Sequence, residues 1–107
     1  MNELQRQIEE GLKIQTDMGK EVIKVALECI QLFDRKQQDY GSSNIAISGE
    51  IGVQVRLQDK VSRMRHLLEK RMREPGMKIN NESLDDTYQD VANYGMIGML
   101  LSRKKWK

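Results

Sequence analysis

The sequence predicts an all-α protein, a small antiparallel bundle of three main helices with an additional N-terminal helical arm. Apolar residues recur at intervals of three and four along most of the chain, as they do on one face of an amphipathic helix. Hydrophobic residues make up 38% of the chain and charged residues 32%, which indicates a modest core and a large solvated surface. Because 107 residues suffice for one core and are few for two, we expect a single domain.

The predicted domain has three parts. Residues 1–15 form the helical arm, in which Leu4, Ile8 and Leu12 follow one another at four-residue intervals. Residues 16–101 form the bundle core, and residues 102–107 form a basic tail. Because a small and highly charged bundle gains core from a second copy, we expect a homo-oligomer in which the apolar stripe of the arm packs across subunits.

The first main helix follows the arm. Thr16 or Asp17 offers an N-cap, and a broad apolar face over residues 22–33 predicts a helix that ends near Gln38. Residues 39–44 are a cluster of turn formers, so the chain is expected to turn there.

The second main helix is expected to begin at Val53. Residues 45–52, which include two glycines, are expected to form an ordered loop with at most one irregular turn. Apolar residues then recur at helical spacing until Pro75-Gly76, where proline disfavours a helical conformation in the preceding residue.

The third main helix begins at a cap that is Asn80, Asn81 or Ser83. Gly95 and Gly98 lie inside it, and each costs up to ~1 kcal/mol relative to alanine. We therefore expect close packing against a neighbouring helix to offset them.

Composition disfavours several classes of function. A formal charge of +2 is too balanced for a protein that attracts nucleic acid mainly through its electrostatic field. Cys29 is the only cysteine, which indicates a reducing compartment, and His66 is the only histidine, which argues against zinc sites and Ser-His triads. No apolar stretch approaches the ~20 residues of a membrane span, and the polar N-terminus has no signal-peptide core. We expect a cytoplasmic protein without a membrane partner.

The third helix carries an acidic stripe. Its members are separated by four, four and three residues and are Glu82, Asp86, Asp90 and Asn93. Acids at this spacing repel by roughly 0.2–0.5 kcal/mol per pair, so a cation or facing basic side chains should compensate. The second helix offers a facing surface of mixed charge: Arg56, Asp59, Lys60 and Arg63. An inter-helix salt-bridge network without any ligand explains the same pattern, and spacing alone does not separate the two interpretations.

Mg²⁺ is the divalent ion that suits this pattern, because it prefers oxygen ligands and commonly lies between one or two carboxylates and substrate phosphates. The candidate ligands are Asp59, Glu82, Asp86 and Asp90, of which the three aspartates are also candidate catalytic residues. Four basic side chains are candidates to bind phosphate: Lys36, Arg56, Lys60 and Arg63. Asn93 is a further candidate nucleotide-binding residue.

The turn Asp39-Tyr40-Gly41 is a second candidate part of a nucleotide site. Tyr40 can stack on a base or hydrogen-bond a sugar, and the backbone amides from Gly41 onward can approach phosphate or ribose. Alternatively, Tyr40 only closes one end of the bundle.

Three ordered motifs resemble the small phage and bacterial family called nucleotide modification associated domain 1. They are Lys36-x-x-Asp39-Tyr40-Gly41, then Val55-Arg56-Leu57-x-Asp59-Lys60-x-x-Arg63, then Glu82-Ser83-Leu84-x-Asp86-Thr87-x-x-Asp90-x-Ala92-Asn93-Tyr94. The resemblance covers roughly residues 27 to 101 and leaves out the arm. It implies a nucleotide or nucleotide-derived ligand without implying a particular reaction.

The acidic third helix is also distantly similar to the MazG-like all-α nucleoside triphosphate pyrophosphatases. In those enzymes one helix carries EExxE and a later helix carries ExxD, and the carboxylates bind Mg²⁺ for attack by water on the phosphate chain. Glu82-Ser83-Leu84-Asp85 satisfies the later motif, whereas the second helix offers Asp59 and no EExxE pattern. This departure weakens the case for hydrolysis more than the case for binding.

Three functions remain open from the sequence. The first is Mg²⁺-dependent hydrolysis of a nucleoside triphosphate or a related nucleotide. The second is binding without catalysis, for example by a phage protein that sequesters a nucleotide signal of host defence. The third is an interaction module whose charged stripe is only structural.

Overall fold

The computed structural model describes residues 2–74 and 81–107, with side chains from residue 3 onward and again from residue 83. These residues form four helices and no strand, which confirms the all-α class. The helices are α1 (Asn2–Gly11), α2 (Asp17–Tyr40), α3 (Ser43–Arg73) and α4 (Asn81–Ser102). The chain divides into two compact units, residues 1–38 and 39–107. A single antiparallel bundle of all the helices stays a prediction.

In the first unit, α1 ends in a turn that returns the chain to α2. The N–H of Ile14 donates to the carbonyl of Glu9 at 2.9 Å, and Lys13 takes a φ of 56°. This is the hydrogen-bonded turn that often ends helices, here with lysine where glycine is usual. The Thr16 hydroxyl then accepts from the N–H of Gly19 at 2.9 Å, so Thr16 is the N-cap of the two predicted candidates and Asp17 is the first helical residue.

The helix α2 extends two residues past its predicted end at Gln38 and stops at Tyr40. Gly41 follows with a φ of 69°, a backbone conformation that glycine adopts without a steric penalty. Ile23 and Cys29 are the buried residues of α2.

The prediction of a loop over residues 45–52 is wrong, because α3 begins at Ser43 and continues through this stretch. The helix is interrupted at Gly49, whose φ of 60° and ψ of −150° are not helical. The two glycines of the stretch therefore indicate one sharp break rather than a loop. Helical bonding already begins before the break, since the N–H of Ala46 donates to the carbonyl of Ser42 at 3.1 Å.

The second unit is built on the packing of α3 against α4. Lys60 contacts Asp90, while a methyl group built on Gly98 would lie 3.8 Å from Cγ1 of Val53. The earlier residue of α3, Val53, faces the later residue of α4, Gly98, and the later residue of α3, Lys60, faces the earlier Asp90. The two helices are therefore antiparallel. Their buried apolar residues include Val53, Leu84 and Ile97.

The expectation that Gly95 and Gly98 allow close packing of α4 against a neighbouring helix is wrong. A Cβ atom at Gly95 would have no neighbour within 4 Å, and the 3.8 Å separation at Gly98 is an ordinary van der Waals contact. The backbone of α4 therefore comes no closer to α3 at these positions than an alanine would allow.

The ends of α3 and α4 agree with the predicted ranges. The helix α3 ends at Arg73, ahead of Pro75 and Gly76, which lie outside the described residues together with Asn80. The helix α4 begins at Asn81, so Ser83 lies inside it and is not its cap. None of the helices in the described ranges combines the length and the apolar character that crossing a bilayer requires.

Candidate functional site

An ion pair between Lys60 and Asp90 joins the two helices of the second unit. The ammonium nitrogen of Lys60 lies 2.9 Å from Oδ2 of Asp90, and the two side chains are 26% and 16% exposed. Partial burial reduces the screening that makes surface ion pairs weak. It also means that removing one partner leaves the other charge poorly solvated.

Arg56 lies one turn before Lys60 on α3 and carries a buried donor. Its Nη1 atom is shielded from solvent and has no hydrogen-bond partner within the described residues. A buried donor that lacks an acceptor costs about 1–3 kcal/mol, and more when it is charged. Arg56 as a whole residue is half-buried.

Asn93 lies one turn after Asp90 on α4 and is 6% exposed. Because the two helices are antiparallel, the turn before Lys60 on α3 faces the turn after Asp90 on α4. Arg56 and Asn93 are therefore placed at the same level of the helix pair. Thr87 lies about one turn before Asp90 on the same helix and is 1% exposed, and its hydroxyl donates to the carbonyl of Ser83 at 2.7 Å.

The helical period places the remaining candidates of α3 and α4 on the same side of this helix pair. We call this side the charged edge; it consists of Arg56, Asp59, Lys60, Arg63, Asp86, Asp90 and Asn93. Asp59, Arg63 and Asp86 are exposed, whereas the other four side chains are buried or half-buried. The charged edge thus has a shielded centre and an outer set of charges that solvent reaches.

The carboxylates of the charged edge do not form a preassembled metal site. Within the parts of the chain that the structure describes, no three His, Cys, Asp or Glu side chains are grouped to hold a metal ion. Glu82, a predicted ligand, has its side chain outside the described residues. Asp90 is already neutralised by Lys60. Exposed Asp59 and Asp86 suit a Mg²⁺ ion that arrives with phosphate, since such an ion needs only one or two carboxylates.

The other predicted nucleotide-binding residues lie away from the centre of the charged edge along the chain. Asp39 and Gly41 are exposed, and Tyr40 is 72% exposed. These three residues belong to the second unit, whereas Lys36, also exposed, belongs to the first. A largely exposed tyrosine ring is available to stack on a ligand, and it does not pack as the closure of a bundle end would.

The sequence predicted a basic tail over residues 102–107 and a turn over residues 39–44, without a contact between them. The indole N–H of Trp106 donates to the carbonyl of Ser42 at 3.0 Å, and the Ser42 hydroxyl donates to the carbonyl of Lys107 at 2.5 Å. The basic tail is therefore attached to the residue that follows Tyr40-Gly41. No spacing pattern indicates this contact, because the two residues are 64 positions apart in the sequence.

An open groove with a volume of about 510 Å³ lies in the first unit, between the end of α1 and the start of α2. Its lining includes Glu9, Lys13 and Lys20, and the Lys20 ammonium lies 3.9 Å from Glu9. None of the predicted site residues lines this groove.

Cys29 is not suited to nucleophilic chemistry. Burial of the side chain raises the pKa of the Cys29 thiol, and the charge of Glu28 raises it further. Since the thiolate is the reactive form, a raised pKa keeps the group inert at neutral pH.

The chain matches a known protein family. A family model described as nucleotide modification associated domain 1 matches residues 36–101, which is more than half of the chain. This range contains the whole charged edge and the Asp39–Gly41 turn. No curated protein and no solved structure matches the chain.

Proposed function

The chain belongs to the nucleotide modification associated domain 1 family, and from this membership we propose that it binds a phosphorylated nucleotide on the charged edge. The observation that carries the proposal is the half-buried Lys60–Asp90 pair. An ammonium group has three donors, and an ion pair with one carboxylate oxygen leaves donors for a phosphate. Asp90 holds the ammonium in place, so little conformational entropy is lost when phosphate binds.

Arg56 and Arg63 extend the cationic side of the charged edge along α3. They lie four residues before and three residues after Lys60, so the three cations follow one side of the helix. The buried Nη1 donor of Arg56 lacks an acceptor, and a hydrogen bond to a phosphate oxygen would remove the cost of leaving it unpaired. A guanidinium can also bind two phosphate oxygens at once.

We propose that Mg²⁺ accompanies the nucleotide. The charged edge carries as many aspartates as cations, so a polyphosphate without a metal ion would be repelled by Asp59 and Asp86. A Mg²⁺ ion held by these exposed carboxylates and by phosphate oxygens would remove that repulsion. Affinity for a triphosphate should therefore rise with Mg²⁺, and affinity for a monophosphate should depend on it less.

Binding has two possible consequences for the nucleotide. In the first, Asp59, Asp86 and Asp90 would hold Mg²⁺, which would supply the charge stabilisation for hydrolysis of the phosphate chain, as in the MazG-like pyrophosphatases. In the second, the ligand is retained intact, as in a protein that sequesters a nucleotide signal. The binding proposal holds for both, and recovery of the ligand distinguishes them.

A ligand screen tests the proposal. The common ribo- and deoxyribonucleoside mono-, di- and triphosphates are each added with Mg²⁺ or with EDTA, and the melting temperature is recorded. A ligand present at 100 times its Kd should stabilise the protein by about 2.7 kcal/mol. Mass spectrometry of the bound and free ligand then reports retention or hydrolysis. If no nucleotide raises the melting temperature under either condition, the proposal fails.

We also propose that the chain self-associates. Ile51 and Val55 are 72% and 50% exposed and lie four residues apart on α3. The helical period places both on the face of α3 opposite Val53, which packs toward α4. Exposed apolar side chains that adjoin one another favour a protein contact.

Light scattering after size exclusion tests self-association. We expect a mass that is a multiple of 12.5 kDa, and we expect Ile51→Glu to reduce it to that of one chain. Gln31→Glu introduces the same charge at an exposed position of α2 and is the matched control. A wild-type mass of a single chain at micromolar concentration would remove the proposal.

A further inference from the structure

The basic tail makes a specific contact with the start of α3. The carbonyl of Ser42 accepts two hydrogen bonds, one from the N–H of Ala46 at 3.1 Å and one from the indole of Trp106 at 3.0 Å. The Ser42 hydroxyl returns a bond of 2.5 Å to the carbonyl of Lys107. The contact therefore joins both a backbone group and a side chain of Ser42 to the tail.

The end of α4 directs the tail to this position. The N–H of Lys105 donates to the carbonyl of Leu100 at 2.8 Å, and the N–H of Lys104 donates to that of Leu101 at 3.0 Å. Lys104 takes a φ of 58°, so a left-handed residue turns the chain out of the helix axis. A non-glycine residue in this conformation costs free energy, and the contacts that follow it compensate.

The residues held by this contact adjoin the exposed aromatic turn. Ser42 directly follows Gly41, whose positive φ sets the direction of the chain after Tyr40. Tyr40 is 72% exposed, and its ring offers a face on which a base can stack. The conformation of this turn consequently depends on how Ser42 is held. Trp106 lies outside the range that the family model matches, so the family pattern does not assign it a role.

We propose that Trp106 is a positioning residue of the nucleotide site, which holds the Tyr40–Ser42 segment in the conformation that receives the nucleoside. The inference rests on the proposed nucleotide binding and adds to it a region of the site and a residue. Trp106 acts through Ser42 and does not itself contact the ligand. Bound nucleoside on Tyr40 changes the surroundings of the nearby indole.

The tryptophan emission spectrum gives a direct test, because Trp106 is the only tryptophan of the chain. The protein is titrated with the Mg²⁺ complexes of ATP, GTP, CTP and dTTP, with excitation at the red edge of the tryptophan band. We expect a change in emission that saturates at the Kd given by calorimetry for the same nucleotide. Calorimetric binding with unchanged emission would overturn the role of Trp106 and leave nucleotide binding intact. If calorimetry detects no binding, both proposals fail.

Variants separate positioning from simple stability. Trp106→Phe removes the indole donor while keeping an aromatic ring, and we expect it to weaken nucleotide affinity about fivefold, the loss of one hydrogen bond. Tyr40→Ala should weaken affinity at least as much. Ser102→Ala, at the exposed end of α4, is the matched control and should leave affinity unchanged. A lower melting temperature of Trp106→Phe with unchanged affinity would mean that the tail is only structural.

Discussion

The two units of this chain use ion pairs differently. In the first unit, Arg6 pairs with Glu3 and Glu10 within α1, and each of these side chains is more than half exposed. The pair that joins α1 and α2 is longer, at 3.9 Å, and its lysine side chain is 48% exposed. In the second unit, Lys60 and Asp90 also belong to different helices, but they are 2.9 Å apart and mostly shielded from solvent. Exposed pairs within a helix contribute little, whereas a shielded pair is sensitive to the loss of one partner. The comparison therefore identifies Lys60–Asp90 as the ion pair whose loss should destabilise the protein most.

The largest effect is expected for Lys60→Met. This substitution leaves the Asp90 carboxylate shielded without its ammonium partner and should lower the free energy of unfolding by about 2 kcal/mol, less than for a fully buried pair. Arg6→Met in the first unit is the comparison and should be close to neutral. Urea unfolding measures both. Adding Asp90→Asn to Lys60→Met should restore part of the loss, and equal effects of Lys60→Met and Arg6→Met would refute the comparison.

An opposite change is expected for Gly95→Ala in the second unit. A Cβ atom there meets nothing within 4 Å, so the substitution adds helix propensity without a clash. We expect the free energy of unfolding to rise by about 1 kcal/mol, measured by the same urea titrations. A decrease would show that the space beside Gly95 is needed by a neighbour.

A smaller gain is expected where each unit ends a helix with a left-handed lysine. Lys13 and Lys104 have φ values of 56° and 58°, and glycine adopts this conformation without the steric penalty. Lys13→Gly and Lys104→Gly should each stabilise by roughly 0.5 kcal/mol, because the entropy of glycine in the unfolded chain offsets part of the gain. Thermal melts of the two variants compare the units directly; a loss at both positions would contradict the conformational argument.

The reactivity of the Cys29 thiol measures how well the fold of the first unit shields this side chain. Burial raises the pKa of its thiol, so the folded state disfavours the thiolate. As pH rises through the unfolded pKa of about 8.5, the unfolded chain loses its proton first and stability should decrease. Alkylation of the native protein at pH 8 should be much slower than alkylation in urea. Equal rates would mean that the thiol is accessible in the fold.

The smallest effect is expected for the exposed pair of Arg65 and Glu69 on α3. Arg65 lowers the pKa of Glu69, so its contribution is present above the unfolded pKa of about 4.3 and is lost as pH falls through the folded pKa. Arg65→Gln should reduce the difference in melting temperature between pH 7 and pH 3 only slightly. A large reduction would contradict the view that exposed pairs matter little.

Helices with a continuous apolar face could be predicted from the sequence. Residues 22–33 indicated α2, and the apolar repeat after Val53 indicated most of α3. The failure at 45–52 has a local cause, because glycine propensity does not distinguish a single non-helical residue at Gly49 from a loop. The spacing of apolar residues does not reveal a helix boundary that depends on the backbone conformation of a single residue.

The members of the charged edge could be predicted in part, because helical spacing assigns each of them to one stripe of its own helix. Asp90 and Lys60 were each assigned to one stripe of a helix, and antiparallel packing then brought them within 2.9 Å. The contact of Trp106 with Ser42 was not predictable, because it depends on a left-handed turn at Lys104 that no spacing rule reveals. Burial of Nη1 in Arg56 likewise depends on packing rather than on pattern.

Calorimetry on two neighbouring arginines of α3 tests the central claim most directly. Arg63 lies on the charged edge, while Arg65 is exposed two residues away on another face, and Arg63→Gln and Arg65→Gln remove the same charge from the same helix. With the Mg²⁺ complex of the nucleotide that most raises the melting temperature, Arg63→Gln should weaken affinity by roughly tenfold, as expected for a charge-assisted hydrogen bond to phosphate. Arg65→Gln should leave affinity within about twofold, the change expected from long-range charge alone. Equal losses in the two variants, or no loss in Arg63→Gln, would contradict nucleotide binding on the charged edge.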